Sequence, residues 1–115
     1  MRRQQRLRHQ NDFSAVYRRG KIYADGPLLL RVRHDTALPG PRFGFAVSRR
    51  LGGAVVRNRL KRQLRHAAHA SHAVGPADIV VTARNSARGA SYHDLEATLH
   101  ALLGRAGLRE VGKPS

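Results

Sequence analysis

Between Val55 and Ala68 the apolar residues Val56, Leu60, Leu64 and Ala67 recur at three- and four-residue spacing. At about 100° per residue this gathers them on one arc of a helix. Arg57, Lys61 and Arg65 fall at i, i+4 and i+8 along another side, with Asn58 and Arg62 beside them and Arg59 on the far flank. Upstream, Phe13, Val16 and Tyr17 give a short helix one apolar face, with Asn11-Asp12 as its expected N-cap and Arg18-Arg19-Gly20 as its close. Lys21 to Arg33 is rich in Ile, Tyr, Leu and Val but broken by Asp25-Gly26-Pro27, which predicts one or two strands. Arg42 to Ser48 alternates Phe43, Phe45 and Val47 with Gly44, Ala46 and Ser48, a strand with one apolar face and one small face. Arg49 to Gly53 reads as a glycine-hinged loop, Asp78 to Ala83 as a buried strand, and Ser91 with Asp94 as the cap of a last helix that runs to about Leu103 and ends at Gly104.

The predicted order is helix, two or three strands, helix, strand, helix, which describes a small α/β sandwich of α+β class on a mixed sheet. A length of 115 residues suits one domain. Residues 1–10 read as a basic arm, 11–108 as the folded domain and 109–115 as a disordered tail, without internal repeats.

Charge changes the picture. Lys and Arg total 22 against 7 Asp and Glu, a formal net charge of +15. Such an excess repels itself and is explained most simply by a polyanionic partner. No acid occurs between Asp35 and Asp78. A solvated helix face normally mixes signs and gains about 0.2–0.5 kcal/mol per i, i+4 pair, whereas here the neighbours repel. The helix is therefore read as a nucleic-acid surface rather than a solubilising one, its cations displacing counterions from phosphates. A membrane partner is disfavoured because the longest apolar runs, Leu28 to Leu30 and Ile79 to Val81, are only strand-length. The basic N-terminus has no apolar segment behind it, so no secretory signal is read and a cytoplasmic location is expected. Cysteine is absent, which removes disulfides and thiolate metal sites.

Phe43 to Ala67, FGFAVSRRLGGAVVRNRLKRQLRHA, resembles the bacterial ribonuclease P protein family. In that family a strand ending in Val-Ser and two basic residues leads through Gly-x-Ala-Val into an Arg-Asn-Arg helix. Here these are Val47 to Arg50, Gly52 to Val55, and Arg57-Asn58-Arg59 followed by Lys61, Arg62 and Arg65. Leu7 to Lys21, Asp78 to Arg84 and Tyr92 to Leu103 are similar to the family's first helix, following strand and closing helix. Two departures stand out: the aromatic usual on the strand after the first helix is missing from Leu28 to Arg31, and the basic helix continues as HAAHASHAVG.

The resemblance implies a four-stranded mixed sheet with three helices and a left-handed β-α-β crossover, the domain-2 arrangement of a small-subunit ribosomal protein. It implies a subunit that assists a catalytic RNA in removing the 5′ leader of precursor tRNA, with Mg2+ at the RNA active site and no cofactor on the protein. It further implies a monomer, one protein per RNA. Ser48, Arg49, Arg50, Arg57, Asn58, Arg59, Lys61, Arg62 and Arg65 would face the catalytic RNA, and Phe13, Tyr17 and Arg18 would line a cleft for the single-stranded leader. The alternative is a ribosomal or architectural nucleic-acid-binding protein. An autonomous enzyme is disfavoured: no pair of acids is spaced for joint acid/base work, and His66, His69 and His72, without cysteine or a nearby carboxylate, make a poor zinc site. No catalytic residue and no metal ligand is assigned.

Overall fold

A computed structural model describes Leu7 and residues 10–109. It contains α1 (Gln10–Arg19), β1 (Lys21–Asp25), β2 (Leu28–His34), β3 (Arg42–Ala46), α2 (Ala54–Ala70), β4 (Ala77–Ala83) and α3 (Tyr92–Arg105), with short 3-10 turns at Arg49–Leu51 and Asn85–Gly89. The expected class holds: three helices on a mixed four-stranded sheet of order β1-β2-β4-β3. β1 and β2 form an antiparallel hairpin across Gly26, whose φ of 48° a glycine adopts without steric cost. β4 lies between antiparallel β2 and parallel β3, and α2 links β3 to β4 as a β-α-β unit.

Strand alternation sorts the sheet into two faces. Leu28, Leu30, Val32, Phe43, Ile79 and Val81 turn to one face, where Leu60 and Leu64 of α2 and Leu95, Leu99, Leu102 and Leu103 of α3 complete the core. Each fully buried leucine there contributes about 2 kcal/mol. Of the predicted seam of α2, Leu60, Leu64 and Ala67 have almost no exposure and Val56 is half-buried against the core, while Ala68 joins the buried face. His100 donates a ring N–H to the Ala67 carbonyl at 3.1 Å, tying α3 to α2. The Tyr92 hydroxyl donates to Glu96 at 2.8 Å, and its pKa is raised, first by burial and then by that carboxylate.

Several boundaries differ from expectation. α1 begins at Gln10, so Asn11 and Asp12 sit in its first turn rather than before it; the Asp12 carboxylate lies 3.5 Å from Arg42 instead of capping the helix. α3 has the expected Ser91–Asp94 capping box but runs through Gly104 to Arg105. It stops where Gly107 takes φ 75° and the Leu108 N–H closes onto the Leu103 carbonyl at 2.8 Å, burying Leu108. Most of the expected arm over 1–10, and the tail from residue 110, lie outside the described residues. Leu7 is described: it is buried, and its N–H donates to the Phe43 carbonyl at 2.9 Å.

Candidate nucleic-acid interface

The second sheet face carries α1. Arg31, Val80 and Gly44 stand in register across β2, β4 and β3, and α1 lies over that row. Tyr17 stacks on the Arg31 guanidinium at 4.7 Å, Val16 is buried against Val80, and the Phe13 ring fills the space above Gly44. A Cβ at position 44 would come 2.5 Å from Phe13 Cε1, so only glycine lets the ring approach. Gly44→Ala is expected to push Phe13 outward at a cost of about 1 kcal/mol; an unchanged thermal midpoint together with unchanged Phe13 ring shifts by NMR would contradict this.

On one side of α1 a row of charge closes the face. Arg42 Nε and Nη2 donate to the two carboxylate oxygens of Asp78 at 2.7 and 3.0 Å. Arg33 lies 3.7 Å from Asp78 and 3.3 Å from Asp35. Asp78 is fully buried. The Arg42 pKa is raised, chiefly by its hydrogen bond to Asp78 and against the opposing effect of burial. On the other side the row Ala24, Leu29, Thr82 and Ala46 is partly open to solvent. This leaves a trough floored by two alanines, Leu29 and Thr82, with α1 as one wall.

The two α1 aromatics line that wall without being engulfed: Phe13 is half-buried and Tyr17 is 48% exposed. Arg18, assigned to the same cleft, is not brought to the rings; one position on from Tyr17, it turns about 100° away and is exposed. The cation that does meet Tyr17 is Arg31, held also by a 3.4 Å hydrogen bond to Thr82 Oγ1. Sequence reading missed Arg31. The available signal was its place within Leu28 to Arg31, where the usual aromatic is lacking.

β3 leads directly from the trough to the basic surface. Ser48 N-caps the 3-10 turn, its Oγ accepting from the Arg50 N–H at 3.1 Å, and leaves Arg49 and Arg50 exposed. On α2, Asn58, Arg59 and Arg62 are exposed around Val55, itself 84% exposed. Arg57, Lys61 and Arg65 form a half-buried row between this face and the core, and the Nε atoms of Arg57 and Arg65 are buried without a hydrogen-bond partner among the described residues. None of these six residues makes an ion pair among the described residues. Their charge is thus uncompensated among the described residues, the condition that favours a polyanion.

The histidines do not form a centre. His66 meets Tyr92 edge-on at 5.8 Å, His69 is exposed in the last turn of α2, and His72 lies past it with φ 51°. Among the described residues no group of three or more His, Asp or Glu is placed to hold a metal, and no helix is long and apolar enough to cross a membrane.

Fold and surface together define a polyanion-binding α+β domain with a basic helix beside an aromatic-walled trough. Comparison with known proteins makes the class specific. The family described as Ribonuclease P matches residues 1–107. The "Ribonuclease P protein component" of Acidothermus cellulolyticus is 48% identical over 103 residues, covering 87% of this chain and 86% of that protein; that of Clostridium novyi is 35% identical over 111 residues, covering 94% and 98%. The RNase P protein structure from Staphylococcus aureus superposes with a TM-score of 0.82 at 29% identity, covering 92% of this chain and 98% of that one. The protein from Thermotoga maritima gives 0.78 at 27% identity, covering 87% and 96%. The chain belongs to the ribonuclease P protein family.

Proposed function

We propose that this chain is the protein subunit of ribonuclease P and acts in tRNA processing by holding the catalytic RNA on its α2 face and the 5′ leader of precursor tRNA in the trough. The observation that carries the reading is the continuity of the two surfaces. The acid-free helix face runs through Ser48, Arg49 and Arg50 to the open side of the α1 trough, so one protein spans RNA core and single strand.

In this mechanism Arg49, Arg50, Arg57, Arg59, Lys61, Arg62 and Arg65 neutralise RNA phosphates, and Asn58 hydrogen-bonds a phosphate, ribose or base edge. Phe13 and Tyr17 present ring surface to leader bases, with a cation nearby, which is how sequence-tolerant single-strand sites work. Hydrolysis itself is assigned to the RNA with Mg2+. The protein's described acids do not fit a magnesium site: Asp12, Asp35 and Asp78 each face an arginine, Asp94 accepts from the Ser91 N–H, Glu96 accepts from Tyr92, and Asp25 is exposed with no other His, Asp or Glu grouped around it to hold a metal. The subunit therefore positions and neutralises. The proposed assembly is one protein per RNA, in the cytoplasm.

Reconstitution with the catalytic RNA at low Mg2+ tests this. Adding the protein is expected to restore leader cleavage. Tyr17→Ala is expected to weaken leader-bearing substrate about tenfold, one stacked base being worth about 1–3 kcal/mol, while leaving mature tRNA binding unchanged. No gain in cleavage on adding the protein would sink the assignment, and equal losses for both substrates would remove the cleft.

A further inference from the structure

The exposed face of α2 does not stop at Arg62. His66 stands four residues on from Arg62 and seven from Arg59, so at about 100° per residue the three share one side of the helix. His66 is exposed there, at the start of HAAHASHAVG, the stretch where this chain departs from the family pattern. Its ring meets Tyr92 edge-on at 5.8 Å, and Tyr92 meets His93 at 6.0 Å. Tyr92 and His93 open α3, and His93 is exposed. A continuous line of imidazole, phenol and imidazole therefore carries the basic face of α2 across to the start of α3.

The charged groups around this line are mostly cations. On α2 they are Arg59, Arg62 and the exposed His69, and on the Asn85–Gly89 turn, which packs against α2, Arg88 is exposed. α3 brings His100, turned to the Ala67 carbonyl, and two acids that are both engaged. Glu96 accepts from the Tyr92 hydroxyl at 2.8 Å, and Asp94 accepts from the Ser91 N–H at 3.3 Å. Neither His66 nor His93 makes an ion pair among the described residues. An imidazole that takes up a proton here gains a charge and a second N–H donor, and no described carboxylate is paired with either.

We propose that His66 and His93, spaced by the Tyr92 ring, form a proton-dependent phosphate contact that extends the catalytic-RNA surface from α2 onto α3. This rests on the RNA-binding role of the α2 face proposed above. Imidazole is the side chain whose charge changes between about pH 5 and 8. Arginines Arg59 and Arg62 stay charged throughout and supply the part of the grip that does not vary with pH. Phosphates lying beyond them bring negative charge to both rings and favour their protonated forms. Linkage is reciprocal, so the protonated rings hold RNA more tightly. The contact is therefore made as pH falls and is lost as pH rises.

The test is binding of the catalytic RNA by the full chain between about pH 8 and about pH 6 over a range of salt. From the higher pH to the lower, the parent is expected to gain about tenfold in affinity and to steepen its log–log salt slope by up to about 1.8, two contacts at about 0.9 each. The double variant His66→Gln, His93→Gln is expected to gain less than about threefold. His34→Gln, exposed at the end of β2 and far along the chain from this line, should keep the parent's response. Followed by NMR, the titration midpoints of His66 and His93 should move up by about half a pH unit each when RNA is added, the tenfold gain shared between two rings. A double variant with the parent's pH response, or midpoints that RNA does not move, overturns the contact. Arg59→Ala with Arg62→Ala in the same series separates the two ideas. If that variant binds as the parent does, the α2 face itself is wrong; if it weakens while the histidine variant keeps the parent's pH response, only the histidine contact is.

Discussion

Replacing Arg59 and Arg62 together by alanine is expected to weaken association with the catalytic RNA about thirtyfold near physiological salt, with little change in thermal stability. Both side chains are exposed on α2 and neither supports the core. Two lost phosphate contacts, each about 0.9 in the log–log salt slope, amount to about 1.5 decades between 1 M and 0.15 M salt. The slope is the more telling measurement, because it should fall by about 1.8 whatever the absolute affinity. An unchanged slope would mean that this face of α2 does not touch phosphate. Helix propensity is not at issue, since alanine is the best helix former.

Arg42→Met is expected to cost about 3 kcal/mol and to lower the thermal midpoint by about 15 °C, because it strands a buried carboxylate. Asp78 is fully buried, and Arg33 at 3.7 Å is the only other cation near it among the described residues. The partner change Asp78→Leu, made in the Arg42→Met background, should recover most of the loss, as replacing both members of a buried pair by apolar groups commonly does. A single variant as stable as the parent would show that the pair contributes no net stability. The structural consequence is local: Asp12 also meets Arg42, so the pair helps seat α1 on the sheet and closes the face on that side of the helix.

α2 was the most legible element. Its apolar positions recur at helical spacing over about three turns, and Leu60, Leu64 and Ala67 among them are buried in the core with Val56 packed at its edge. The strands were legible for a similar reason, since the alternation in Phe43 to Val47 sets large core-facing residues against small ones beneath α1, and the run Ile79 to Val81 reflects burial on both faces. What failed were features decided by partners distant in sequence. Asn11-Asp12 looks like a cap locally, yet Arg42 draws the Asp12 side chain away. Gly104 looks like a stop, yet α3 continues to Arg105 and its closing turn is set by Gly107 and the docking of Leu108 into the core. Within the candidate site, the α2 basic positions could be read because one helix presents them all. The trough could not: Tyr17 over Arg31, and Phe13 over Gly44, are pairings between α1 and strands whose register no local pattern specifies. Nor does spacing reveal that β4, last in sequence, occupies an inner place in the sheet.

That inner place bears on when the molecule becomes competent during synthesis. Among the described strands β3 pairs only with β4, and β2 reaches β3 only through it. Until Ala77 to Ala83 have left the ribosome, RFGFA has no ladder to join and the trough has no floor. The β1–β2 hairpin and α2 are local and form early, but closing the sheet waits on contacts of high sequence separation, the slow step in such topologies. The emerging chain therefore carries its basic helix before the sheet that supports it is closed.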